Sequence, residues 1–144
     1  MPDTRIVRPY LLVAIGGALG SAARFGLSNL GAVLFPGAMP WGIIIVNLLG
    51  CFVIGFFSEA TGSTGIWNGA PDARTFVIVG LCGGFTTFSS FSLGTLTLLQ
   101  QGHLFAALLN VALSVIGCLA TVTAGVWLIR VIDLATRKTD DRRI

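Results

Sequence analysis

Four apolar runs, each long enough to cross a bilayer and joined by short polar turns, leave this chain little choice of architecture. They cover about Pro9 to Phe35, Trp41 to Ser58, Thr75 to Leu99 and Leu104 to Ile132. The apolar core of a bilayer takes about 20 such residues as a helix, so four spans consume most of the 144 residues. Only 10% of the residues are charged and mean hydropathy is +0.88; soluble domains carry roughly 25% charge. The expectation is an all-α, four-span transmembrane bundle forming one membrane domain over 1–144, with 133–144 as a polar C-terminal tail.

The breaks between runs read as turns and a loop. Pro36-Gly37-Ala38-Met39-Pro40 joins the first two spans, and Gln100-Gln101-Gly102-His103 joins the last two. Glu59 to Arg74, rich in Gly, Thr, Asn, Asp and Pro, reads as a loop. Trp41, Trp67 and Trp127 fall near span ends, where indole rings favour the headgroup layer. Gly16-x-x-x-Gly20 and Gly80-x-x-x-Gly84 have the spacing of close helix packing. Cys51, Cys82 and Cys118 match neither a metal pattern nor a disulfide framework and read as buried apolar residues. Arg5 and Arg8 before an apolar run ending in Ser21-Ala22-Ala23 imitate a secretory signal. The run continues past Arg24 to Phe35, too long for a signal core, which favours a retained span.

With four spans, Arg5, Arg8, Arg74, Arg130, Arg137, Lys138, Arg142 and Arg143 share one side, and the two turns opposite hold no Lys or Arg. Positive charge marks the cytoplasmic side, so both termini are expected there. These cations sit at chain ends and in one loop, not in a patch of nucleic-acid type.

Within the third run lies an anomaly: Gly83-Gly84-Phe85-Thr86-Thr87-Phe88-Ser89-Ser90-Phe91-Ser92. Hydroxyls at membrane depth face protein or an aqueous path. A glycine pair beside them points to an interrupted helix, tolerated only where the freed backbone finds other partners. Phe88 and Phe91 share a face and read either as packing or as positive ring edges turned toward an anion. Asn47 is either a helix–helix hydrogen bond or an N–H donor on an anion path. Arg24 either snorkels to the interface or gives an entrance positive potential. Asn110, Ser114, Cys118 and Thr121 share one face of the fourth span, as a packing seam or as the wall of a narrow track.

No Asp, Glu or Lys lies within a span core; Glu59 and Asp133 are at ends. Coupled pumps and exporters carry an intramembrane carboxylate or His relay, so passive conduction is favoured over a small multidrug-type exporter. A non-transporting membrane assembly factor is the other alternative. No catalytic Ser/His/Asp or Cys/His arrangement is present, and His103, the single histidine, sits in a turn, so no enzyme is expected.

Together, Gly16-Gly17-x-x-Gly20-x-x-x-Arg24, Pro40-Trp41-Gly42, Val46-Asn47-x-x-Gly50 and above all the 83–92 motif resemble the Fluc/CrcB family of fluoride channels over nearly the whole length. The resemblance implies an antiparallel, dual-topology homodimer in the bacterial inner membrane, with two fluoride pores. It implies a third span broken near Gly83 to Thr86, whose backbone carbonyls hold a central Na⁺ together with those of a second copy. It assigns Phe88, Phe91 and Asn47 to the pore, Arg24 to the vestibule, and Ser114 and Asn110 to the fourth-span side of the track. The chain departs from the pattern at Gly42-Ile43-Ile44, where members often have Gly-Thr-Leu, which removes a hydroxyl from the second span. The one-sided cationic charge also departs from a dual-topology chain and makes a heterodimer with an oppositely oriented paralogue the alternative assembly.

Overall fold

Every apolar run becomes a helix, and no strand occurs among the described residues. The computed structural model describes residues 4–63 and 65–140. Arg142 and Arg143 lie outside it, as do the side chains of Arg5, Arg137 and Lys138. Helix α1 spans Thr4–Leu34 and α2 spans Trp41–Ala60. The third span is built from α3 (Pro71–Arg74), a π-helical stretch (Thr75–Cys82), α4 (Gly83–Phe85) and α5 (Phe88–Gln100). Helix α6 covers Leu104–Asp140. Four stretches, Ile6–Leu34, Trp41–Ala60, Pro71–Gln100 and Leu104–Thr136, are long and apolar enough to cross a membrane.

Three boundaries differ from the expectation by more than two residues, one of them the third span, whose helix starts at Pro71 within the stretch read as loop because proline suits the first turn of a helix. Helix α1 begins at Thr4, ahead of Pro9, because a proline near a helix start forgoes only one early backbone bond. The first part of the polar tail continues α6 to Asp140, since Leu134-Ala135-Thr136-Arg137-Lys138 contains neither Gly nor Pro to stop it.

Ion pairs and hydrogen bonds tie one end of the bundle together. Arg8 pairs with Asp72, Arg130 with Glu59 at 2.8 Å, and Arg74 Nη1 donates to the Ser58 carbonyl at 3.1 Å. The start of α1, the 61–70 loop and the distal part of α6 therefore share a face, as alternating spans require. At the other end the Phe35 and Trp41 rings meet across the first turn, 6.3 Å apart.

The first half of the third span is anchored by glycine. It packs on α1 backbone to backbone: a Cβ on Gly20 would collide with the Leu81 carbonyl, and one on Gly84 with the Gly17 carbonyl. The two G-x-x-x-G sequences are thus the two sides of one seam, where dispersion between close backbones replaces side-chain interlocking. Elsewhere in the bundle, α2 and α6 form the most extensive interface. Large apolar side chains such as Tyr10, Phe25, Val33, Phe105 and Leu119 remain on the outer surface, as lipid-facing helices demand.

Candidate ion pathway

The helix fails at Thr86 and Thr87, both extended (φ −77°, ψ 154° and φ −153°, ψ 115°). Gly83 itself stays helical at φ −62°, ψ −36°. The interruption therefore starts at the hydroxyl residues instead of the glycine pair; the glycines serve the α1 seam and an open flank. Nothing lies within 4 Å of where a Gly83 Cβ would stand.

The backbone groups released by the break have identifiable partners. In a continuous helix the Thr87 N–H would bond to the Gly83 carbonyl and the Ser90 N–H to the Thr86 carbonyl. Instead, Thr87 N–H donates to Asn47 Oδ1 at 2.9 Å, and Asn47 Nδ2 donates to the Thr87 carbonyl at 3.1 Å. The Ser90 N–H bonds to Thr87 Oγ1 at 3.2 Å, so Thr87 caps α5. The Gly83 and Thr86 carbonyls are left without their helical donors. Thr87 Oγ1 also contacts Ser89 Oγ at 3.1 Å and donates to Ser90 Oγ at 3.2 Å. Other hydroxyls follow ordinary helix habits: Thr86, Thr95 and Thr97 each donate to the carbonyl four residues back.

Gly50, one turn beyond Asn47 on α2, makes the approach possible. A Cβ there would run into the Thr86 methyl. The Asn47-x-x-Gly50 spacing thus supplies a clamp for the break and room for it on one helix face.

Beside the break, Asn47, Cys51, Thr86, Thr87, Phe88, Phe91, Ser114, Val115 and Cys118 line an open-sided cavity of about 290 Å³. Four of the six pathway residues selected from the sequence line it: Asn47, Phe88, Phe91 and Ser114. The two rings stand 5.4 Å apart at 49°, and Phe88 is 79% exposed. Ser114 is only 7% exposed and its Oγ has no hydrogen-bond partner. A buried hydroxyl without a partner is uncommon, and Ser114 is among the residues that line the cavity.

Arg24 and Asn110 lie elsewhere. Arg24 lines a separate hollow of about 410 Å³ with Ser21, Phe25, Ser28, Ile43 and Ser90. Asn110, 1% exposed, faces α5: its Nδ2 donates to Thr95 Oγ1 at 2.8 Å, and its Oδ1 has no partner. Four cavity residues, Cys51, Thr87, Val115 and Cys118, are not among the pathway or cation-site residues expected from the sequence. Thr87 carried a signal, because Thr-x-x-Ser at a helix restart is a capping pattern. Cys118 carried one as well, since it shares the Ser114 face of the fourth span; Cys51 and Val115 carried none.

A family model described as CrcB-like protein, Camphor Resistance, matches residues 11–126. A fluoride-specific ion channel FluC of Methylocella silvestris is 49% identical over 126 residues, 88% of this chain and 93% of that protein. The protein of the same name from Rhodospirillum rubrum is 51% identical over 119 residues, 83% of this chain and 89% of its own length. The one from Opitutus terrae is 48% identical over 116 residues, covering 81% and 88%. The matched region holds the second and third spans with the break and most of the first and fourth, and a multi-pass membrane protein of the CrcB-like (Camphor Resistance) family is what this chain is.

Proposed function

We propose that the chain is a subunit of a fluoride-selective channel that lets F⁻ leave the cytoplasm passively. One observation carries the reading: a membrane-depth cavity that gathers Phe88, Phe91, an unpartnered Ser114 hydroxyl and the Asn47 clamp beside a helix break. Close relatives bearing the name fluoride-specific ion channel support the choice of ion.

Fluoride is small and strongly hydrated, so a pathway must replace its water with donors. The Ser114 O–H has no other acceptor, and the edges of the Phe88 and Phe91 rings are positive. Asn47 acts first as the brace of the break; its second Nδ2 hydrogen remains for the ion. Several weak contacts permit passage where one deep well would trap the anion. Arg24, in its own hollow, supplies positive potential at an entrance. Asn110 extends the polar face of α6 one turn from Ser114. A carboxylate for coupling is absent from these cavity walls, which favours passive flow over an exporter mechanism. A membrane potential worth about 2.3 kcal/mol per 100 mV depletes the anion roughly fiftyfold without coupling. No catalysis is assigned.

The donor set also fits a Na⁺ ion. The Gly83 and Thr86 carbonyls lack their helical donors, and Gly83 opens outward from the single chain. Carbonyl oxygens suit a hard cation, so these two residues, with their counterparts in an antiparallel second copy, would hold it. Bound there, Na⁺ supplies fixed positive charge that satisfies the open carbonyls. The homodimer sits in the bacterial inner membrane; a heterodimer with an inverted paralogue answers the same one-sided charge. Fluoride and chloride efflux from proteoliposomes, with wild type beside Asn47→Asp, tests the function. Rapid, uncoupled fluoride loss with chloride retained supports it; equal flux of both halides defeats selectivity, and no flux returns the chain to the assembly-factor reading.

A further inference from the structure

One wall of the ion cavity has chemistry that fluoride passage does not use. Cys51 from α2 and Cys118 from α6 both line it, and both are half-buried. They come from the two helices that share the most extensive interface in the bundle and face the same hollow. The helices behind them pack backbone to backbone: a Cβ on Gly55 would strike the Val122 carbonyl, and one on Gly125 the Phe52 carbonyl. Two helices in such close register keep both cysteines on the wall of one cavity. A thiol is a weak donor, poorer than a hydroxyl for a dehydrated anion, so the pair adds nothing obvious to conduction. The third thiol, Cys82, is buried and borders a different hollow with Gly50, Leu81 and Phe85. Among the described residues no group of three or more His, Cys, Asp or Glu could hold a metal. A cation satisfied by two soft ligands is therefore the one this wall suits.

We propose that Cys51 and Cys118 form a two-thiol site for a soft, two-coordinate divalent cation, of the Hg²⁺ type, set in the wall of the ion cavity. Soft cations select sulfur ligands. On binding, each S–H bond gives its proton to water and each sulfur forms one bond to the metal, with no change of oxidation state. Two thiolates cancel a divalent charge, so the filled site is neutral and avoids the cost of burying an ion in apolar surroundings. A metal there occupies space inside a cavity of about 290 Å³ shared with Phe88 and Phe91 and closes it to anions. This last effect rests on the channel reading; the binding does not.

The test exposes purified full-length protein to Hg²⁺ in excess 2-mercaptoethanol, then measures bound mercury and alkylation of each cysteine by mass spectrometry. The expected result is one mercury per chain, Cys51 and Cys118 protected and Cys82 alkylated after denaturation. Cys51→Ala and Cys118→Ala should each weaken retention by about 100-fold or more, because the second contact of a chelate is intramolecular. Cys82→Ala should retain it; Cys→Ser versions give the same reading if an alanine variant fails to fold. Equal retention by the single variants, or protection of Cys82 in place of the pair, overturns the site. In liposomes, micromolar Hg²⁺ should stop fluoride efflux by wild type and by Cys82→Ala, and spare Cys51→Ala and Cys118→Ala relative to their own untreated rates. Mercury retained without inhibition overturns the block. Retention in a protein that never conducts fluoride counts against the channel reading alone.

Discussion

The two halves of the third span behave as different materials. From Thr75 to Phe85 the chain is seated against α1, glycine on glycine, with backbone carbonyls where side chains would interlock elsewhere. From Phe88 to Gln100 it carries hydroxyls and two rings, and Phe88 is mostly uncovered. The first half spends its surface on anchorage, and the second presents its own to a cavity. Between them stand two extended residues, held from a neighbouring helix by the side chain of Asn47. A conducting element in a bilayer needs both parts: a fixed frame and a stretch of polar groups not consumed by packing.

Breaking the anchored half should have the largest effect. Gly20→Leu places side-chain atoms against the Leu81 backbone, which cannot yield as a flexible side chain would. The expected outcome is loss of folded, monodisperse protein, read by size exclusion in detergent. Asn47→Leu should come next. It strands the Thr87 N–H and carbonyl, two buried groups at about 1–3 kcal/mol each. The protein should survive with a clearly lower unfolding midpoint and little fluoride flux; an unchanged midpoint would show that the break needs no brace.

Ser114→Ala sharpens the contrast from the cavity side. Removing a buried hydroxyl that has no partner should leave stability equal or slightly higher, while flux falls. Flux and stability falling together would make Ser114 a packing residue. The smallest effect belongs to the charged end of the bundle. Glu59→Gln loosens an exposed pair with Arg130 and should change neither the unfolding midpoint nor the flux measurably.

The sequence made the spans legible because apolar length has one use in a membrane, and the seam legible because G-x-x-x-G on two segments needs a shared surface. It located the interruption near Gly83 to Thr86, and the structure puts it at the far end of that stretch, because glycine tolerates a break without requiring one. Thr86 and Thr87 unwind for a tertiary reason: a partner forty residues away, Asn47, satisfies the peptide that leaves the helix. The same limit hid the orientation of Asn110, which depends on Thr95 across the α5–α6 contact. The π-helical stretch Thr75–Cys82 has no pattern of its own in an unbroken apolar run. Single cysteines look inert in a string of letters; their pairing exists only once α2 and α6 lie side by side.

Everything about conduction turns on whether ions pass the cavity edge formed by the aromatic rings. Fluoride efflux from vesicles carrying Phe91→Ile, with its unfolding midpoint measured on the same preparation, reads this most directly. The midpoint should stay near that of wild type while efflux slows by about tenfold or more, equivalent to roughly 1.4 kcal/mol on the limiting barrier. Wild-type efflux from that variant would mean that the ion takes another route.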